Sequence, residues 1–261
     1  MNMIAEPRTA SPRGDRPLTL ITGGTRGIGG ATARRLAGSG HDLVLAFRDD
    51  VSAAEQCRRE VQQAGARCVL VRGDLTEDGG VDSLFARATE AGVLTGVVSN
   101  AGATLHLGPL AETPTDVIRR TIEVNLTAAL LVARSAVRTM GTSYGGSGGV
   151  LVNVGSVASR LGAAGEYVHY AAAKAGVEAF TRGLAQEVAG DGVRVVTVAP
   201  GVVRTRIHAD AGDPTRADRV SAAIPLGRAA EPAEVADTIT WLLSERASYI
   251  TGSTVEISGG R

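Results

Sequence analysis

Leu18-Thr19-Leu20-Ile21-Thr22-Gly23-Gly24-Thr25-Arg26-Gly27-Ile28-Gly29 is the stretch whose reading decides the fold. An apolar run ends abruptly in glycines, and an alanine-rich helical pattern carries on to about Leu36. Strand, glycine loop and helix N-terminus in that order form an anion site, because unsatisfied backbone N–H groups and the helix dipole both point at the loop. Glycines at 23, 27 and 29 let the main chain approach a diphosphate without Cβ clashes. Their spacing is Gly-x-x-x-Gly-x-Gly, not the commoner Gly-x-Gly-x-x-Gly.

Outward from this stretch the same alternation repeats. Short apolar runs at 42–47, 67–72, 95–99, 149–154, 193–198 and 253–257 predict strands, and the patterns at 52–64, 114–140, from about 166 onward and at 231–243 predict helices. Such alternation predicts an α/β fold: one Rossmann-type, doubly wound parallel sheet of about seven strands with helices on both faces. No Pro/Ser linker or composition shift divides the chain, so a single domain over 17–261 is expected. Residues 1–16 hold Pro7 and Pro12 among mixed charges and no apolar stretch, which predicts a disordered tail and neither signal peptide nor membrane anchor.

Composition narrows the function. Formal charge is +0 from 27 basic and 27 acidic residues, and no basic block implies nucleic acid or an anionic membrane as partner. Cys57 and Cys68 are too few for a disulfide framework, and the four histidines are scattered, so no metal site is expected. A cytoplasmic enzyme acting on a small molecule is the reading that remains.

The strand ends supply the candidate cofactor residues. The second strand ends at Phe47-Arg48, where such folds read the adenosine ribose. With Phe47 in place of an acid, Arg48 and Arg26 are expected to bracket a 2′-phosphate, favouring NADP over NAD; the competing reading gives Asp49 the ribose and favours NAD. Asp74-Leu75 follows the third strand, and Asp74 either accepts from an adenine amino group or caps the next helix with Thr76. Asn100-Ala101-Gly102 follows the fourth, its small residues leaving room for ribose and phosphate, or Asn100 only braces the neighbouring strand. Gly145-Gly146-Ser147-Gly148-Gly149 formally matches Gly-x-Ser-x-Gly but precedes a strand, so it is no nucleophile elbow.

Chemistry concentrates at 153–174. The fifth strand gives way to Ser156, and Tyr170 and Lys174 stand four residues apart, one helical turn, on one face. A cation held there favours the phenolate, and bringing a phenol from about 10 to between 7 and 8 needs about 3 to 4 kcal/mol, which the cation and the positive charge of an oxidised nicotinamide together could supply. Asn125, inside an apolar helical pattern, is costly to bury unpaired. It either bonds a local carbonyl or disturbs the helix to hold a water. Beyond the sixth strand, Pro200, Gly201, Val203 and Thr205 lead into a polar, arginine-rich segment, about 204–227, that reads as a substrate lid.

With these motifs in order, the sequence closely resembles the short-chain dehydrogenase/reductase superfamily from about Leu18 onward. Within it the chain is most similar to bacterial glucose dehydrogenases and 3-oxoacyl-carrier-protein reductases. The resemblance implies that Tyr170 exchanges a proton with the substrate oxygen and that Ser156 polarises the carbonyl. It further implies that Lys174 binds the nicotinamide ribose, that Asn125 holds a water in a proton relay, and that Thr205 and the backbone near Val203 meet the carboxamide. A carbonyl or secondary-alcohol substrate and a homotetramer, or homodimer, are implied with them. Two departures limit the transfer. Ser156 and Tyr170 are one residue further apart than in many members, so the intervening loop is expected to bulge. The residues at 146–149 and Gln186 are not basic, which weakens the carrier-protein reading. A catalytically silent NADP-binding sensor or scaffold is the alternative from another class; a dehydratase or epimerase would need further acid–base residues near the lid.

Overall fold

The computed structural model describes residues 16–207 and 209–261. Seven strands, β1 (Leu18–Thr22), β2 (Asp42–Phe47), β3 (Cys68–Arg72), β4 (Leu94–Ser99), β5 (Gly149–Val154), β6 (Val193–Pro200) and β7 (Thr254–Ile257), form one all-parallel sheet in the order β3-β2-β1-β4-β5-β6-β7. Nine α-helices occur among the described residues: α1 (Gly27–Gly38), α2 (Val51–Gln63), α3 (Gly80–Ala91), α4 (Thr115–Ile122), α5 (Ala128–Met140), α6 (Ala158–Leu161), α7 (Val168–Val188), α8 (Arg216–Ser221) and α9 (Pro232–Leu242). The expected fold class holds.

Alternation along the strands sorts two cores. In β2, Val44 and Ala46 face one side with Leu20 of β1, against Leu84 of α3, Val132 and Met140 of α5 and Val188 of α7. Leu43 and Leu45 face the other with Ile21, against Leu36 of α1, Val61 of α2 and Ile239 of α9. Fully burying a side chain such as Leu36 or Ile239 contributes about 1.5–3 kcal/mol. Helices on both faces leave a crevice where the chain reverses direction across the sheet, between the carboxyl ends of β1 and β4.

Two expectations need correction, and a third falls almost wholly outside the described residues. The pattern at 114–140 is not one helix: a π-helical turn, Glu123–Thr127, separates α4 from α5, with Asn125 at its centre. The helix carrying Tyr170 starts at Val168, because the loop before it turns through left-handed glycines at 162 and 165 and through Ala163 at φ 50°. The expected tail at 1–16 lies outside the described residues except for Arg16, which is anchored: its Nε donates to Gly40 O at 2.8 Å and lies 3.7 Å from Asp42 Oδ1.

Candidate active site

The glycine loop takes the form expected of it. Gly23 and Gly27 adopt positive φ, 60° and 53°, and a Cβ on Gly29 would stand 2.2 Å from Gly23 O, so α1 cannot begin here with any larger residue. The first turn of α1 has no side-chain cap: Arg26 sits at the N-cap position without a side-chain hydrogen bond to the helix. Free N–H groups at a helix start lined by glycine suit a diphosphate.

Next to it, Thr22 organises the crevice. Its Oγ1 accepts from Asn100 N at 2.9 Å and Ala101 N at 3.0 Å, while Asn100 Nδ2 donates to Thr22 O at 2.9 Å and Gly23 O at 3.1 Å. Asn100 therefore braces β1 against β4, the second of the two readings made for it. Gly102 passes so near Asn125 that a Cβ there would lie 2.7 Å from its Oδ1.

Asn125 is buried and fully bonded. Its Oδ1 accepts from Ala103 N at 3.1 Å, and its Nδ2 donates to Ala103 O at 2.7 Å and Thr121 O at 2.9 Å. The side chain bonds the carbonyl one turn earlier and the helix widens by a π turn around it, so features of both sequence readings are present.

The end of β5 delivers Ser156, whose Oγ accepts from Ala158 N at 3.2 Å; the turn is pinned to β6 by Val157 N donating to Pro200 O at 3.0 Å. From α7, Tyr170 and Lys174 enter side by side, the Lys174 Nζ 5.6 Å from the Tyr170 ring centre and donating to Val154 O at 2.8 Å. Both are buried. Burial pushes the Tyr170 phenol above its ordinary value, Tyr167 adds to that, and the hydrogen-bonding Ser156 hydroxyl only partly opposes it. Burial also pushes the Lys174 ammonium down to about 8. In the chain by itself burial dominates the phenol; the expected lowering invokes the charge of an oxidised nicotinamide beside Lys174. Lys174 is the chain's sole lysine.

Further out along the sheet, Asp74 does not cap the next helix, since α3 begins at Gly80 with Gly79 at its N-cap. Its Oδ1 accepts from Thr76 N at 2.9 Å and Thr76 Oγ1 at 2.6 Å, and Oδ2 accepts from Arg120 Nη2 at 2.9 Å. Burial opposes the charge, but the Thr76 bonds and Arg120 together hold the carboxyl below its usual range. Arg48 pairs with Asp49 at 2.5 Å and Arg26 with Asp210 at 3.4 Å, all four exposed. Arg206 reaches Asp50 at 3.5 Å, while Asp50 caps α2 through Ala53 N.

One cleft of about 1200 Å³ joins these parts. Of the residues singled out in the sequence, Gly23, Thr25, Arg26, Gly27, Ile28, Phe47, Arg48, Asp74, Leu75, Asn100, Ala101, Gly102, Ser156, Tyr170, Lys174, Pro200, Gly201, Val203 and Thr205 line it; Gly29 and Asn125 stand behind the wall. Thr22, Arg120, Glu166, Tyr167 and Arg216 were not anticipated. Tyr167 carried a legible signal as a second tyrosine three residues before Tyr170; Arg216 carried none. Beyond Ser156 and Tyr170 the cleft is walled by Leu105, Leu161, Ala163, Tyr167, Pro214 and Ala217. Neither a three-ligand metal cluster nor a helix long and apolar enough to cross a membrane is found among the described residues. Burial pushes Cys57 up to about 11 and Cys68 to about 12, which leaves both thiols unreactive.

A sequence profile described as Enoyl-(Acyl carrier protein) reductase matches residues 23–261. An uncharacterized oxidoreductase, YgfF, of Escherichia coli (strain K12) is 40% identical over 245 residues, 94% of this chain and 99% of that one. The chain belongs to the short-chain dehydrogenase/reductase family. Among dehydrogenases of known reaction, the cis-4-hydroxycyclohexanecarboxylate dehydrogenase of Sinomonas cyclohexanicum is 39% identical over 93% of this chain and 95% of its own. A short chain dehydrogenase from Burkholderia cenocepacia J2315, solved in complex with NADP, superposes with a TM-score of 0.86 at 28% identity, covering 94% of this chain and 97% of that chain. As a short-chain dehydrogenase/reductase, the protein is an oxidoreductase of small molecules.

Proposed function

We propose that this protein is an NADP-dependent carbonyl reductase or secondary-alcohol dehydrogenase with Tyr170 as its general acid and base. The observation that carries the reading is the convergence of Ser156, Tyr170 and Lys174 at the carboxyl end of β5, backed by the Asn125 turn. Among relatives, the Burkholderia cenocepacia structure holds NADP, and the cis-4-hydroxycyclohexanecarboxylate enzyme is named for a secondary alcohol.

The glycine loop and α1 N-terminus fit the diphosphate of a dinucleotide, and Lys174 fits the nicotinamide ribose. Arg26 and Arg48 are the side chains offered to a 2′-phosphate. NADP, when bound, supplies or accepts the hydride. The chain's part is alignment and the proton. Ser156 donates a hydrogen bond to the substrate oxygen, and Tyr170 protonates it. A phenol raised by burial stays protonated at neutral pH, which suits reduction. Asn125, its hydrogen bonds spent on Ala103 and Thr121, opens the helix beside Lys174, where a water can sit in a relay. Thr205 lies against Gly27, placing it beside the loop that receives the diphosphate. Residues 204–227 act as the substrate lid of a single domain over 17–261, and the protein works as a cytoplasmic homotetramer.

Purified protein should oxidise NADPH faster than NADH against a panel of cyclic and linear ketones. Tyr170→Phe should abolish that turnover while NADPH binding, measured by calorimetry, stays as in the wild type. Turnover surviving in Tyr170→Phe sinks the mechanism, and NADPH binding without turnover of any carbonyl revives the silent sensor.

A further inference from the structure

The lid segment is fastened to the rest of the molecule in two different ways. At the adenosine side it makes exposed ion pairs, Arg26–Asp210 and Arg206–Asp50, of a kind that contributes little. At the substrate side it inserts Arg216, the first residue of α8, whose side chain is only 1% exposed. The guanidinium grips Glu166 with both forks, Nη1 to Oε1 and Nη2 to Oε2 at 2.6 Å, and Nη2 also donates to Tyr167 Oη at 2.9 Å. Its Cζ lies 5.1 Å from the centre of the Tyr167 ring, which in turn meets Tyr170 edge to face at 5.5 Å. A buried arginine left unpaired is strongly disfavoured, so it is retained only where its partners stand.

We propose that Arg216 is a positioning residue that latches the lid onto the turn before Tyr170, fixing Tyr167 against the proton donor and cancelling the one carboxylate that faces the substrate end from that turn. This rests on the reading of Tyr170 given above. Glu166 and Tyr167 line the cleft; Arg216 stands behind them. The pair therefore presents a neutral wall, continuous with Leu105, Leu161 and Ala163, and the site is tuned to carbonyl compounds without a charge near the reacting carbon. Removing either partner uncovers a charge, and the two charges have opposite sign.

That opposition supplies the test. Cyclohexanone and 4-oxocyclohexanecarboxylate, matched in shape and differing in charge, are assayed with NADPH against wild type, Arg216→Met and Glu166→Gln. Arg216→Met, which leaves the carboxylate only the weaker influence of Arg261 and Arg219, should lower kcat/KM for the anionic ketone about tenfold relative to the neutral one. Glu166→Gln, which leaves a bare guanidinium, should shift the ratio the other way. NADPH affinity should stay within twofold of wild type in both. A shift of both variants in the same direction, or of neither, overturns the proposal. Hydrogen exchange tests the latch without turnover: Arg216→Met should speed exchange in 209–223 and 163–169 together, leaving 18–30 unchanged, and an unaltered pattern refutes it. Because exchange needs no catalysis, failure of the Tyr170 reading would show as faster exchange in a protein whose Tyr170→Phe variant still turns over.

Discussion

The two ends of the cleft are built on opposite principles. At the end where Ser156 lies, Asn125, Tyr170 and Lys174 are buried, and Asn125 and Lys174 each bond a main-chain carbonyl. At the end beyond the glycine loop Arg26, Arg48, Asp49 and Asp210 are exposed and pair through single contacts, Arg26 with Asp210 and Arg48 with Asp49. A buried group is held by many neighbours and cannot be exchanged without loss; an exposed ion pair is screened and exchangeable. On the proposed function, chemistry is thus fixed where the chain is dry, and cofactor choice is left where it is wet.

Ser156→Ala breaks this comparison most directly: deleting the donor proposed for the reacting oxygen should cut kcat by about 10²–10³-fold, roughly 3–4 kcal/mol, with the NADP/NAD ratio unchanged. A ratio that moved with it would show that the two ends are coupled. Asn125→Ala leaves Ala103 N and two carbonyls without their partner in a buried place, so denaturant unfolding should report a loss on the order of 2–3 kcal/mol. Lys174→Met is smaller and depends on pH. Lys174 titrates at about 8 in the fold against an ordinary value of 10.5, so between those values the unfolded chain holds the extra proton and stability rises with pH. Wild type should therefore gain on the order of 1–2 kcal/mol relative to Lys174→Met between pH 7.5 and 9.5, read by urea midpoints. Smallest is Arg48→Ala, which should lower the NADP/NAD preference about tenfold, roughly 1.4 kcal/mol, and shift unfolding by less than about 0.5 kcal/mol.

What the sequence disclosed follows the same division. Strands β1, β2 and β5 were legible to the residue, because apolar runs bounded by glycine or turn residues report both period and ends. The residues around Gly23, Ser156 and Tyr170 were legible too, since each sits at a strand end or on a helix face that a short window reveals. The π turn was not: Glu-Val-Asn-Leu-Thr keeps helical spacing, and only the bonds from Asn125 to the distant Ala103 show why it opens. Nor was the desolvation of Tyr170 and Lys174, because four-residue spacing reports their nearness and not their burial. Arg216 and its hold on Glu166 were invisible for a third reason, fifty residues of separation with no period to connect them.

The strand order has a consequence for how the chain comes into being. The segment through β3 can form half a sheet, with β3 at one edge and β1 at the other, yet every residue of β1 is buried in the finished fold. Until β4 is synthesised and slots beside it, that apolar edge has no neighbour and invites pairing with another nascent chain. Overproduction faster than synthesis of the second half can complete should divert the protein into inclusion bodies, and slower translation after residue 72 should make that worse.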